Sequence, residues 1–401
     1  MSTKKVAEHA GMVFWKRIGC PKYAVAPMVH QSELAFRMLT RKYNAQLCFT
    51  PMLHSRLYTE SSKYRETNFH TCPKDRPLFV QFCGDNEHTL LEAAKYVEDK
   101  CDAVDLNLGC PQGIARKGHY GAFLLEEPEL LQRIVRHLSA NLKIPVTCKI
   151  RLLKTREKSI ELAKMLVDAG AKVLTIHGRT KEEKKQFIGK CDWDTIRAIR
   201  EAVDVPVIAN GGIGRFEDIQ KCLDVTKCHG VMSSEAVLEN PSLFAGEEND
   251  KKMTVLERQF QIAREFLDLV DKYPPSSFRH AKKHIIQFLF GVYMEHKEKI
   301  QKLFICVNTN EIREHLKEME TLLGGDLSCT KISLQLAGDT CDEGVWYARH
   351  RNNVKKKANG TKKPKLKLTR SEKRKRRSEY KEAMKKRRKE EKMKHRLKNT
   401  N

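Results

Sequence analysis

The stretch Ala103-Val104-Asp105-Leu106-Asn107-Leu108-Gly109-Cys110-Pro111 decides how this chain is read. An aliphatic run stops abruptly at a Gly-Cys-Pro turn, which sets a thiol on a loop at the C-terminal end of a buried strand. In a (β/α)8 barrel that end of the sheet carries the catalytic residues. A lone cysteine is a weak sign by itself. Here it is one of several strand-end motifs that recur in order over two thirds of the chain. Seven further short apolar runs, at 23–26, 47–50, 78–81, 146–150, 173–177, 207–210 and 230–233, have the length and near-continuous hydrophobicity of parallel strands covered on both faces.

Amphipathic stretches fall between most of these runs, at 87–100, 128–142, 159–169, 192–202 and 215–224. Asp85 or Asn86 offers a start signal for the first, and Gly170 a stop signal for the third. Eight β-α units in series predict a closed (β/α)8 TIM barrel over residues 20–246. An open doubly wound sheet is the second choice, and no GxGxxG follows the first strand to support it. The connection 52–75 is long for a barrel loop, which predicts a functional or partly helical segment. Beyond Phe244 the pattern changes. Stretches 255–272, 277–294 and 309–323 read as helices, with Tyr273-Pro274-Pro275 breaking the first two, and make a small helical domain over 250–325. Residues 1–19 are an N-terminal extension and 326–348 stay unassigned.

Charge divides the chain again. The formal net charge is +25, but residues 349–401 hold 25 Lys+Arg against 5 Asp+Glu, and the remainder is close to balanced. With almost no apolar residues, this tail is expected to be disordered when free. A polyanion bound through counterion release is one partner it suits; a solvated nuclear-import patch around Lys373-Arg374-Lys375-Arg376-Arg377 is the other reading. Thirteen cysteines without a CxxC pair argue against a disulfide framework and a zinc site. The sequence has no signal-peptide core after Met1-Ser2-Thr3-Lys4-Lys5 and no apolar run of about 18 residues. The expectation is a reduced, soluble, intracellular setting with no membrane and no metal, and with cytoplasm and nucleus both open.

Several strand ends carry chemistry. Asn210-Gly211-Gly212-Ile213 ends the seventh strand in two glycines ahead of a helix. A Gly-Gly pair is elsewhere only a turn, but the loops after strands seven and eight are the usual phosphate site of a barrel. On the fifth strand Thr147, Lys149 and Arg151 share one face by the period of two. A lysine there calls for an anion, such as a reduced flavin. His177-Gly178-Arg179-Thr180 ends the sixth strand with a histidine donor and an arginine suited to phosphate. Gln81 closes the third strand with an amide that both donates and accepts. Ala26-Pro27-Met28 closes the first with a flat apolar ledge.

Together, Ala26-Pro27-Met28, Gln81, Asn107-Leu108-Gly109-Cys110-Pro111, Lys149-Ile150-Arg151, His177-Gly178-Arg179-Thr180 and Asn210-Gly211-Gly212-Ile213 resemble the tRNA-dihydrouridine synthases in order and spacing, from about residue 20 to 323. Cys110 to Arg116 and Val231 to Glu235 are most similar to the eukaryotic branch acting on positions 16 and 17 of the tRNA D-loop. The resemblance implies FMN at the barrel mouth, reduced by NADPH or NADH, and hydride transfer to C6 of a tRNA uridine. It implies that Pro27, Met28 and Val29 line the flavin ring and that Gln81, Lys149 and His177 bond its polar edge. Asn210, Gly211, Gly212, Ser234 and Glu235 would hold its phosphate.

Cys110 would be the general acid for C5. An unperturbed thiol, with a pKa of about 8.5, is protonated at neutral pH where a carboxylate is not. Asn107 would position the uracil, with Arg151 and Arg179 on the substrate side. Many relatives carry Gly-Arg at 234–235, so the Glu235 side chain is a poor phosphate partner and only backbone N–H groups are expected to serve there. Arg279, Lys282 and Lys283, neighbours on a helix, are expected to grip tRNA together with the tail. Two other readings remain at this level: a flavin barrel reducing a small pyrimidine or enoate, and a non-catalytic RNA-binding barrel.

Overall fold

A computed structural model describes residues 8–184, 189–246 and 253–325. The segment 326–348 and the basic tail 349–401 lie outside the described residues. Eight strands form the barrel: β1 (Tyr23–Val25), β2 (Leu47–Phe49), β3 (Leu78–Cys83), β4 (Ala103–Leu108), β5 (Val146–Arg151), β6 (Val173–His177), β7 (Val207–Asn210) and β8 (Gly230–Ser233). All pairings are parallel, and the ring closes where β1 pairs with both β2 and β8 (Ala24 opposite Leu47 and Met232). That closure excludes the open doubly wound sheet. A two-residue strand, Leu53–His54, adds to the outer edge of β3. The long connection after β2 is indeed partly helical, through Ser55–Glu60 and Ser62–Asn68.

Strand parity sorts the side chains. Val25, Val80, Val104, Cys148, Ile150 and Leu174 face the surrounding helices and join the large core. Ala24, Phe49, Phe79, Ala103, Val173, Ile208 and Met232 point into the barrel and form a separate cluster with Phe14 and Trp15. Those two aromatics come from the helix Ala10–Arg17, which lies in the segment read from sequence as an extension. Phe14 stacks on Phe79 at 5.9 Å between ring centroids. The lower barrel is therefore filled by apolar residues from the strands and from this helix. In its upper half the same inward positions carry Gln81, Asp105, Asn107, Thr147, Lys149, His177 and Asn210.

The helical bundle starts at Val255–Lys272, whose Thr254 and Glu257 make a reciprocal capping box. The stretch expected as one helix at 277–294 is two, Phe278–Phe288 and Phe290–Glu295, separated at Leu289. Lys299–Ile305 and Thr309–Leu322 complete the bundle. It docks on the barrel helix Leu34–Lys42: His284, fully buried, stacks on Phe36 at 4.6 Å and meets Glu33 at 2.8 Å, while the Tyr43 hydroxyl donates to Glu265 at 2.6 Å. No helix of the described residues is long and apolar enough to cross a membrane.

Candidate active site

A cleft of about 890 Å3 opens at the C-terminal ends of the strands. Its wall brings together Pro27, Met28 and Val29 after β1, Asn107 and Cys110 after β4, Lys149 and Arg151 of β5, and His177 and Arg179 after β6. Asn210, Gly211 and Gly212 after β7, and Ser234 and Glu235 after β8, close the ring. These positions are spread over more than 200 residues of sequence, and one inward parity per strand is what collects them.

Cys110 sits on a loop held from both sides. The Asn107 Oδ1 accepts from the backbone N–H of Gly109 at 3.2 Å and of Cys110 at 3.0 Å. Arg151 Nε donates to the Gly109 carbonyl at 2.8 Å, and its Nη1 to the Thr180 carbonyl at 2.8 Å, tying the β4 loop to the β6 loop. Gly121, at φ +71°, lies so close that an added Cβ would meet the Cys110 carbonyl at 2.7 Å. The thiol-bearing residue itself is half-buried.

Gln81, expected to bond a flavin edge, stands behind Asn107 and is not part of the cleft wall. It is fully buried, its Nε2 donates to Asp105 Oδ2 at 2.8 Å, and its Oε1 accepts from Asn107 Nδ2 at 2.7 Å. Thr147 donates to the other Asp105 oxygen at 2.6 Å. Asp105 is the residue that sequence reading passed over. Its signal was present, since a carboxylate inside an apolar strand, two before Asn107, must share the inward face. Burial pushes its carboxyl up to about 6, against the hydrogen bonds from Thr147 and Gln81 and the charge of Lys149.

The cations of the mouth are also shifted by burial. Lys149 donates to Asn210 Oδ1 at 2.8 Å and its ammonium is brought down to about 8, by desolvation first and then by Arg151. Arg151 comes down to about 10 for the same reason, with Arg179 the next cause. His177 is held well below its ordinary range by burial and then by Arg151, so it is neutral at pH 7. Arg179 Nη1 lies 3.2 Å from His177 Nε2. A guanidinium only donates, so Nε2 accepts and the ring proton belongs on Nδ1. Such a group of desolvated cations favours an anion.

The turn after β7 has no room for side chains. Gly211 (φ +105°) and Gly212 (φ +82°) would set a Cβ 2.9 Å from Cys191 Sγ and 3.1 Å from the Trp193 ring. Trp193 Nε1 donates to the Gly211 carbonyl at 3.0 Å. The N–H groups of Gly212, Ile213 and Ser234 have no acceptor among the described residues. Asp218, by contrast, takes the N–H groups of Gly214 and Arg215, both at 2.9 Å.

In the helical bundle the expected basic cluster divides. Arg279 is exposed and Lys283 half-buried. Lys282 is buried, with its Nζ donating to the Phe304 carbonyl at 2.7 Å, so it joins two helices and does not present charge to a partner. The described residues hold no cluster of metal-ligating side chains.

Residues 24–323 match the family described as Dihydrouridine synthase (Dus). This chain belongs to the dihydrouridine synthase family. It is 43% identical over 318 residues to the mouse (Mus musculus) tRNA-dihydrouridine(16/17) synthase [NAD(P)(+)]-like protein, which covers 78% of this chain and 62% of that one. It is 44% identical over 315 residues to the Saccharomyces cerevisiae tRNA-dihydrouridine(16/17) synthase [NAD(P)(+)], across 77% of this chain and 74% of the yeast protein. The human tRNA-dihydrouridine(20a/20b) synthase [NAD(P)+]-like protein matches at 38% over 226 residues, 56% of this chain and 70% of that protein. The chain thus spans somewhat under two thirds of the mouse relative's length. The family match includes both the barrel and the helical bundle of this chain.

Proposed function

We propose that this chain reduces the C5=C6 bond of uridine at positions 16 and 17 of the tRNA D-loop, with FMN as resident cofactor and NAD(P)H as reductant. The observation that carries the reading is the convergence of Cys110, Lys149, His177 and the Gly211–Gly212 turn in one cleft. The choice of positions 16 and 17 follows the higher identity to the relatives so named than to the 20a/20b relative.

The residues present suit a flavin. A glycine turn that excludes any Cβ, with unused backbone N–H groups beside it, fits a phosphate. Pro27, Met28 and Val29 supply an apolar ledge for the ring, and Lys149 and His177 Nδ1 supply donors for its polar edge. A bound FMN, once reduced by NAD(P)H, would supply the hydride for C6 of the uracil. Gln81 is a positioning residue in this scheme, acting on Asn107 from behind. Asn107 keeps one Nδ2 hydrogen beyond the one given to Gln81, and that hydrogen is available to a uracil carbonyl. Cys110 gives its proton to C5 of the resulting enolate, and water reprotonates the thiolate. Arg151 keeps the loop closed on the substrate. Arg179, Arg279 and Lys283, with the tail, contact RNA phosphates.

Mass spectrometry of D-loop fragments after incubation of unmodified tRNA with protein, FMN and NADPH tests the scheme. Wild type adds about 2 Da to one uridine, and Cys110→Ala adds none while still binding FMN and tRNA, because the proton donor is gone. No mass gain with wild type, with FMN and tRNA bound, overturns the proposal.

A further inference from the structure

Beside the catalytic cleft lies a second cavity of about 860 Å3, formed between the loops after β1 and β2 and the 272–276 turn of the helical bundle. Val29, Met52 and Ile114 line both spaces, so the two are contiguous. Tyr64, Phe69 and Tyr120 face this cavity, and His30 and His280 stand in its wall with rings stacked at 4.5 Å and 23°. His30 takes a left-handed backbone, φ +59°, which is uncommon for a residue with a side chain. A buried ion pair braces the wall. Arg37 is fully buried, bound to Asp75 through Nε at 3.0 Å and Nη2 at 2.7 Å, and to the Ser32 carbonyl at 2.7 Å.

We propose that this cavity receives a second nucleobase of the same RNA strand, the neighbour of the uridine in the catalytic cleft, stacked on the His30–His280 pair. The inference rests on the functional reading above. Swinging a uridine out of its stack strips its neighbour of one stacking face, and that unstacking is a cost of extrusion. Proteins that read single-stranded RNA recover such costs by stacking bases on aromatic and imidazole rings. Burial first, and then neighbouring charges including Lys283, pull both imidazoles below their ordinary values, so they are neutral platforms at pH 7. Lys283 stands close by for the adjoining phosphate. His54 Nδ1, buried and without a hydrogen-bond partner among the described residues, offers an edge contact to a base.

The test uses full-length protein and three unmodified tRNA transcripts: intact, abasic immediately 5′ of the reduced uridine, and abasic immediately 3′. On the intact transcript His280→Ala lowers kcat/KM for dihydrouridine formation about tenfold, and His280→Phe restores it through its stacking face. On one of the two abasic transcripts wild type and His280→Ala become equal, since the base that His280 would hold is missing. His30→Ala, on the exposed member of the pair, repeats the pattern. Equal losses on all three transcripts, or no recovery with His280→Phe, overturn the inference and leave the functional reading standing. If wild type reduces no uridine of the intact transcript, the functional reading falls and this inference with it.

Discussion

Asp105 gives the hydrogen-bond chain behind Cys110 its direction. An ionised carboxylate only accepts, so Gln81 must turn its NH2 toward Asp105 and its oxygen toward Asn107. Asn107 then has its NH2 on Gln81 and its oxygen on the N–H groups of Gly109 and Cys110. Asp105→Asn removes that constraint, because an amide can present either end. The expected result is a fall in kcat/KM of about tenfold, the loss of roughly one charge-assisted hydrogen bond. Stability gives a second readout. The folded carboxyl ionises near 6 and the unfolded one near 3.8, so the native state holds more protons between them and loses stability as pH rises through that window. Urea unfolding at pH 4 and pH 6.5 should therefore show the variant gaining on wild type at the higher pH. Lys149 makes a different prediction. Its charge in the ligand-free protein fades above about pH 8, so FMN affinity should decline from pH 8 to 10, by up to about tenfold per unit. Lys149→Met should bind more weakly at pH 7 and lose that pH dependence, as followed by quenching of flavin fluorescence.

At the level of elements, the helix Phe278–Phe288 shows how one face can be misread. Arg279, Lys282 and Lys283 are neighbours by helical spacing, and that spacing alone describes a basic patch. Packing against Lys299–Ile305 turns Lys282 inward, where its stem is covered and its ammonium finds the Phe304 carbonyl. Lys282→Met should lower unfolding stability by about 1–3 kcal/mol, the cost of leaving that carbonyl unpaired, and leave the salt dependence of tRNA binding unchanged. Lys283→Glu together with Arg279→Glu should do the reverse, weakening tRNA binding and flattening its dependence on salt with little change in urea midpoint. The strands were easier to read because a covered parallel strand has one periodicity, and its inward set follows from any one member. The break at Leu289 was harder, since no Gly or Pro marks it and the two helices on either side share one apolar pattern.

For the whole molecule, charge and core belong to different parts of the chain. The described residues build the barrel and bundle, while residues 349–401 bring most of the net positive charge. Removing residues 349–401 should leave the melting temperature of the barrel unchanged and weaken tRNA binding at low salt. The slope of log K against log salt should shrink by about 0.7–0.9 for each phosphate that the tail neutralises. Sequence by itself determined the eight-fold β-α alternation, the order of the strand-end motifs and the family they resemble. Each of these is a local pattern of hydrophobicity or residue type that needs no knowledge of what it packs against. Only the tertiary structure decided that Gln81 stands behind Asn107 and that Lys282 serves packing. It also filled the barrel floor with Phe14 and Trp15, and opened a second cavity where the helical bundle meets the loops after β1 and β2. The direction of a polar side chain is set by the acceptors that distant segments bring within about 3 Å, and those segments become neighbours only once the chain has folded.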